Sequence, residues 1–197
     1  LSAVDRLACA GDVVGYNPWP RDCVEELRRS DIATVQGNHD RAVVTGNTRR
    51  LNPLATRGIE YAREALSDGQ IGWLRSLPTE LTVADGRVKL VHGHPDDPDR
   101  YTRQAEVTPD MLAGEDVLVV GHTHVQFTEQ FESGIVLNPG SVGQPRDGDP
   151  RAAYSVLDLD AMAVEERRVA YDVERVQDEI DAAGLPAELG ERLALGR

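Results

Sequence analysis

"TVQGNHDRAV", residues 34 to 43, decides how this chain is read. An apolar run reaches Gly37 and is followed at once by Asn38, His39 and Asp40. Three side chains able to bind a metal or move a proton therefore stand at the mouth of an expected buried strand. Taken alone, the triplet reads as a turn and helix cap, because Asn and Asp favour such positions. The other strand ends settle whether it is more than that.

They carry the same signature. "LACA" runs into Gly11-Asp12, "VKLV" into His92-Gly93-His94, and "VLVV" into Gly121-His122-Thr123-His124. All 5 histidines of the chain fall in these clusters. In an open α/β sheet, binding sites form at the carboxyl ends of strands, and glycine lets the backbone turn sharply beside a polar group. Singly, each piece has a plain structural reading: Asp12 as a cap, Asn38 as a turn residue, His92 as a hydrogen-bonded core residue. Jointly they point to a metal site. "GHTH" is the most specific piece. In extended chain His122 and His124 face the same way, about 6 to 7 Å apart at Cα. That spacing suits two metal ions about 3.5 to 4 Å apart.

The elements around these clusters follow from periodicity and turn chemistry. Residues 7–14 read as a short buried strand entering a turn, and residues 20–29 as a helix with Pro20 near its first turn. "IATVQGN" reads as a second strand, and residues 53–66 and 68–77 as helices, the latter ended by Pro78. From residue 79 the chain becomes strand-rich: "ELTV", "RVKLVHG", "VLVVGHTH", "VQFTEQF" and "GIVLNPG". The Pro- and Asp-rich "HPDDPDRYTRQ" is a candidate lid. Residues 153–159 and 162–170 form an expected hairpin, and residues 172–197 two short helices broken at "AAGLP". Strands in both halves with helices at both ends predict an α/β fold of layered sheets with helices outside.

Composition narrows the function classes. A chain of 197 residues with 40% hydrophobic content buries a real core. A net charge of −13 excludes a nucleic-acid partner, which demands a basic footprint. Lys89 is the only lysine, which fits either a salt-rich cytoplasm or GC-rich codon usage. Cys9 reads as core and Cys23 as helical; two cysteines make no disulfide framework, which fits a reducing, cytoplasmic setting. No run approaches the roughly 18 apolar residues of a membrane span, and no signal peptide is visible in a chain that starts at Leu1 and not at Met.

The segments "GDVVGYNPWP", "GNHD", "VHG", "GHTH" and "NPGSVGQPRDGDPRAAY", in that order, resemble the calcineurin-like metallophosphoesterases. The resemblance covers nearly the whole chain and is closest to small prokaryotic phosphoesterases related to the Ap4A-hydrolase and Ser/Thr phosphatase branches. It implies a four-layer α-β-β-α sandwich with two mixed sheets over residues 1–171, with residues 172–197 a helical tail of the same domain. The implied reaction is hydrolysis of a phosphate ester, on a small phosphorylated molecule or a phosphoprotein, by water activated between two divalent ions. Mn²⁺, Fe²⁺, Ni²⁺ or Zn²⁺ suit the mixed nitrogen and oxygen donors. Asp12 would bridge the ions, Asn38, His92 and His122 would hold the second, and His124 the first. His39 would protonate the leaving oxygen. Asp40 either orients His39 or caps a helix. Arg146 either contacts the substrate phosphate or pairs with Asp147 or Asp149. "NPGSVG" either offers N–H groups to an anion or forms a tight turn. His94 lies outside the ligand set and is expected to line the pocket.

One departure stands against the family pattern. The family opens with a strand ending in Asp-x-His, which supplies two ligands to the first metal, and none lies upstream of Asp12. "LSAVDRL" reads as the end of the helix that follows that strand, so roughly 30 residues of the pattern, one strand-turn-helix unit, are expected to be missing. Two readings follow: a truncated form of an active enzyme, or a catalytically impaired member that serves as a metal-binding interaction module.

Overall fold

The structure, a computed structural model, describes residues 4–197. The expected end of a helix at residues 1–7 falls partly on residues 1–3, outside the described residues; residues 4–7 are irregular. Strand β1 (Ala8–Cys9) leads into the turn at Gly11 and then helix α1 (Pro20–Arg29). β2 (Ala33–Thr34) pairs in parallel with β1 and feeds α2 (Asn38–Thr45). Helices α3 (Pro53–Ala65) and α4 (Asp68–Ser76) follow.

Local chemistry sets these helix starts. Asn52 caps α3 by accepting from the Ala55 amide at 2.9 Å, with Pro53 in the first turn. Ser67 and Gln70 form a reciprocal capping box on α4. Val24 of α1, Ala42 and Val43 of α2, Ile59 and Ala62 of α3 and Leu74 of α4 then close one apolar cluster with Val14.

The second half builds the main sheet. β3 (Glu80–Val83), β4 (Val88–Val91), β5 (Val117–Val119), β6 (Phe127–Phe131) and β7 (Gly134–Asn138) lie in the order β3-β4-β5-β7-β6. The inner pairs β4-β5 and β5-β7 are parallel, and the outer pairs are antiparallel. The pleat alternates its side chains between two clusters. Val88, Leu90, Val117, Ile135 and Leu137 face Val35, Leu157 and Val164. Val91, Leu118, Val120 and Val136 face Val107, Met111 and Leu112. The hairpin β8 (Ala152–Asp158) and β9 (Ala163–Val169) thus covers the same face as the end of β2.

The α/β class holds, with helices packed on a layered, mixed arrangement of strands. Three details differ from expectation. The second sheet consists of two separate ladders, β1-β2 and β8-β9, and the predicted strand at 7–14 shrinks to two residues because the chain turns at Gly11. The far face of the main sheet is covered by 3-10 turns at Gln104–Glu106 and Pro109–Met111, not by α-helices. Helices α5 (Val173–Ala182) and α6 (Ala187–Leu195) pack on one another and, through Ile180, Leu189 and Leu193, on Tyr16, Trp19, Leu54 and Tyr61.

Candidate metal centre

The four glycine-marked turns meet at one place. A Cβ on Gly11 would lie 2.7 Å from the Gly37 nitrogen and 2.9 Å from His92 Nδ1. A Cβ on Gly37 would lie 2.0 Å from Asp12 Oδ1. Only glycine permits this close approach, and Gly11 also needs its φ of 90°. Three candidate ligands sit in the left-handed region themselves: Asp12 (φ 54), His122 (φ 65) and His124 (φ 62). Non-glycine residues held there carry local strain, which concentrates at functional sites.

This backbone corrects the extended reading of "GHTH". β5 ends at Val119, and a tight turn follows in which the Thr123 amide donates to the Gly121 carbonyl at 2.7 Å. His122 and His124 therefore reach the site from a turn and not from alternate positions of a strand. The signal that failed was period-two geometry, which requires the extended backbone to continue past Val119.

The hydrogen bonds fix which ring nitrogen each histidine offers. His92 Nδ1 lies 2.7 Å from the Ala10 carbonyl, so it carries a proton and Nε2 is the nitrogen left facing the site. His122 Nε2 donates to the Asp99 carbonyl at 3.2 Å, which frees Nδ1. His124 Nδ1 donates to the Gln144 carbonyl at 2.7 Å, which frees Nε2. Such outer carbonyl partners are how ligating histidines are oriented. Around His92 Nε2 stand Asn38 Oδ1 at 3.1 Å, His122 Nδ1 at 3.2 Å and Asp12 Oδ2 at 3.3 Å. These are electron-pair donors facing one another, and a cation satisfies them all. The donor set therefore fits a divalent metal, and Asp12, His92 and His122 each offer a ligand atom within 4.8 Å of the others.

The electrostatics agree. Burial works against the Asp12 charge, but His92 and His39 beside it hold its carboxyl far below the usual range. Burial likewise opposes charge on His92, yet Asp12 wins and its value is raised. Burial, then the neighbouring His92, lowers His122 to about 4. Burial, then Arg146, lowers His124 to about 3. Both rings are thus neutral near pH 7, as metal ligation requires.

The predicted residues separate into groups. Asp12, Asn38, His39, His122, His124 and Arg146 line a cleft of about 670 Å³, while His92 lies beneath it at 1% exposure. Asp40 occupies the third position of α2, with Gly37 as the N-cap residue. Its carboxylate accepts from the amides of Gly37 (2.8 Å), Asp12 (2.9 Å) and Val14 (3.3 Å). It ties α2 to the Asp12 turn and makes no bond to the His39 ring. Burial and the nearby Asp12 charge raise its value to about 7. Arg146 pairs with neither Asp147 nor Asp149: Asp147 meets Arg168 and Asp149 meets Arg151. Arg146 instead grips Gln144 Oε1 through Nε (3.1 Å) and Nη2 (2.8 Å). His94 does not line the cleft; its Nδ1 accepts from the Asp96 amide at 3.1 Å within its own loop.

Other contributors were not legible in the sequence. The loop after β4 delivers the Asp99 carbonyl to His122 and stacks Tyr101 on its ring at 4.2 Å. The Asp99 carboxylate pairs with Arg41 and, at 3.5 Å, with Arg50 on the cleft wall. The cluster of Asp and Tyr in "HPDDPDRYTRQ" was the available signal, but nothing in its spacing says which residue turns inward.

Comparison with known proteins gives the following. Residues 1–162 match the model of the calcineurin-like phosphoesterase superfamily domain. An uncharacterized protein of Methanocaldococcus jannaschii is 32% identical over 213 residues, spanning 98% of this chain and 88% of the relative. The phosphodiesterase YfcE of Escherichia coli is 40% identical over 85 residues, which is 43% of this chain and 41% of the relative. The crystal structure of a metallophosphoesterase from Sphaerobacter thermophilus superposes with a TM-score of 0.85 at 34% identity, covering 98% of this chain and 90% of that one.

Proposed function

The chain belongs to the calcineurin-like phosphoesterase superfamily, and we propose that it is a metal-dependent hydrolase of phosphate esters that works with two divalent ions. The observation that carries this reading is the meeting of Asp12, Asn38, His92 and His122 donor atoms around one point, with His39 on the same cleft wall. Asp12, Asn38, His92 and His122 would hold one ion, and Asp12 with His124 would reach the other. Mn²⁺, Fe²⁺, Ni²⁺ and Zn²⁺ fit these donors. Divalent ions bound there supply a water acidified toward neutral pH and charge stabilisation for the phosphoryl oxygens.

The residues of the chain do the rest. His39, 5% exposed, protonates the leaving oxygen. Burial lowers its value, so the protonated ring is a stronger acid while a smaller share of it carries that proton at neutral pH. Arg146 forms no ion pair among the described residues and faces the cleft, where it binds a phosphoryl oxygen. Asp40 holds the Asp12 turn against α2. The substrate is a small phosphorylated molecule, mono- or diester, or a phosphoprotein, and no nucleic acid at a net charge of −13. Among the described residues no helix is long and apolar enough to cross a membrane. With free Cys9 and Cys23, we place the protein in the cytoplasm.

A metal-by-substrate screen tests the reading. Chelator-treated protein is reloaded with each of the four ions and assayed on p-nitrophenyl phosphate and its bis ester. Turnover with at least one ion is expected, and His39→Ala should lower kcat by about 10² to 10⁴. Metal binding without turnover on either ester would favour an interaction module instead.

A further inference from the structure

His39 lacks the support given to the other histidines of the site. His92, His122 and His124 each anchor one ring nitrogen on a backbone carbonyl. The His39 ring makes no hydrogen bond among the described residues, and the neighbouring Asp40 carboxylate is engaged by three amides. A proton donor must nevertheless be held in a productive direction, since a small misplacement is costly in rate.

What touches the ring is the segment just after Asp12. The Tyr16 and His39 rings lie 4.6 Å apart between centroids, tilted by 46°. A Cβ on Gly15 would stand 2.3 Å from His39 Nδ1, so the Gly15 backbone presses on that edge of the ring. Gly15 is itself pinned, because a Cβ on Gly58 of α3 would lie 2.1 Å from its carbonyl oxygen.

Tyr16 is fixed in turn by the carboxyl-terminal helices. Two guanidiniums address its ring, Arg146 at 5.5 Å and Arg192 of α6 at 5.9 Å from the centroid. The ring joins the apolar cluster formed by Ile180, Leu189 and Leu193. The end of α6 is tied to the Arg146 loop as well: the Gly148 amide donates to the Gly196 carbonyl at 3.0 Å. A helix pair far along the sequence thus contacts both the tyrosine against His39 and the loop that carries Arg146.

We propose that Tyr16 is a positioning residue that aims the His39 ring at the leaving oxygen, and that α6, through Arg192, is the brace that holds Tyr16 in place. The proposal rests on the phosphoesterase reading. It gives the helical tail a catalytic duty beyond closing the core.

The test uses the full chain loaded with Mn²⁺ and a series of aryl phosphate esters graded by the acidity of the leaving phenol. A mispositioned acid harms the poor leaving groups most. Tyr16→Leu should therefore lose kcat progressively along the series, reaching about 10²-fold at the least acidic phenol. Mn²⁺ affinity should stay at its wild-type value, and any change in KM from the loosened Arg146 should be the same for every ester of the series. Tyr16→Phe keeps the ring and should restore the wild-type slope, and Arg192→Gln should show the same trend at smaller amplitude. A loss uniform across the series, or no loss at the poorest leaving group, overturns the proposal. A readout free of turnover separates it from the enzymatic reading. By NMR of the chain loaded with diamagnetic Zn²⁺ in place of Mn²⁺, the His39 ring should occupy one rotamer in wild type and Tyr16→Phe and average in Tyr16→Leu; an equally fixed ring in Tyr16→Leu overturns it. If wild type hydrolyses no ester, the phosphoesterase reading falls, and the NMR comparison alone decides whether Tyr16 positions His39.

Discussion

The two sides of the cleft are built to different degrees. On the His92 side, three donor atoms stand within 3.3 Å of His92 Nε2, and every histidine involved is oriented by a backbone carbonyl. On the His124 side, the described residues place one oriented histidine, the shared Asp12, and the positive charge of Arg146. The buried Gln144 Nε2 there has no partner among the described residues. The difference teaches that donor atoms are gathered and oriented on the His92 side, whereas the His124 side presents fewer of them among the described residues.

Removing His92 should break the contrast most. His92→Ala removes a proposed ligand and not merely its support, so affinity for the first equivalent of Mn²⁺ should fall by more than the roughly 10- to 100-fold that outer partners command. His124→Ala should leave that first equivalent in place and weaken only the second. Calorimetric titration of both variants reads this directly; equal losses would erase the distinction between the two sides.

Asp40 tests whether the His92 side is prebuilt. Asp40→Ala leaves three amides without their acceptor around a fully buried position. Each such orphan costs about 1–3 kcal/mol, so unfolding free energy should drop by about 3 kcal/mol or more. The adjacent His39→Ala should cost far less stability while removing far more activity. Denaturant unfolding of the pair separates the support from the chemistry.

Acidity sharpens the comparison further. His92 has a raised value, so in the metal-free chain its stabilising contribution is complete below the unfolded value of about 6.5 and is lost as pH rises through the folded one. A metal must displace that proton. First-site affinity should therefore weaken about tenfold per pH unit below the folded value of His92. His124, at about 3, is neutral throughout that range, so the second equivalent should vary little with pH above 5 on its account. Parallel pH profiles for the two equivalents would contradict this.

The smallest effect lies under the Arg146 loop. Burial opposes the Asp147 charge, but Arg168 holds its value below the usual carboxylate range. The pair therefore stabilises above about pH 3.9 and fades as pH falls through the folded value. Both side chains are mostly covered, at 15% and 16% exposure, yet they lie near the surface. Arg168→Gln should lower stability by about 1 kcal/mol or less at neutral pH, with the difference from wild type vanishing in acid.

Much of this was legible in the sequence because periodicity and turn chemistry act locally. Helix α1 begins and ends where Pro20 and the following charges place it, and Glu80–Val83 is the strand its alternation predicts. That Asp12, Asn38, His92 and His122 would come together was legible because four glycine-polar turns repeat one pattern. What stayed hidden depends on long-range geometry. Helix α2 shows in the sequence only as the helix-cap alternative at Asp40, because its N-cap is a glycine without a side-chain signal and its last turn carries β-branched Val43, Val44 and Thr45. Asp99, Tyr101 and Tyr16 reach the site from loops and rings whose partners lie far off in sequence. The left-handed backbone at His122 and His124 overrode the strand period that "GHTH" suggests.

The measurement that bears most directly on the central claim is calorimetric titration of Mn²⁺ into chelator-treated wild type, His92→Ala and His124→Ala at neutral pH. Two unequal equivalents are predicted for wild type, with the tighter lost in His92→Ala and kept in His124→Ala. No binding by wild type, or unchanged tight binding by His92→Ala, would contradict the account.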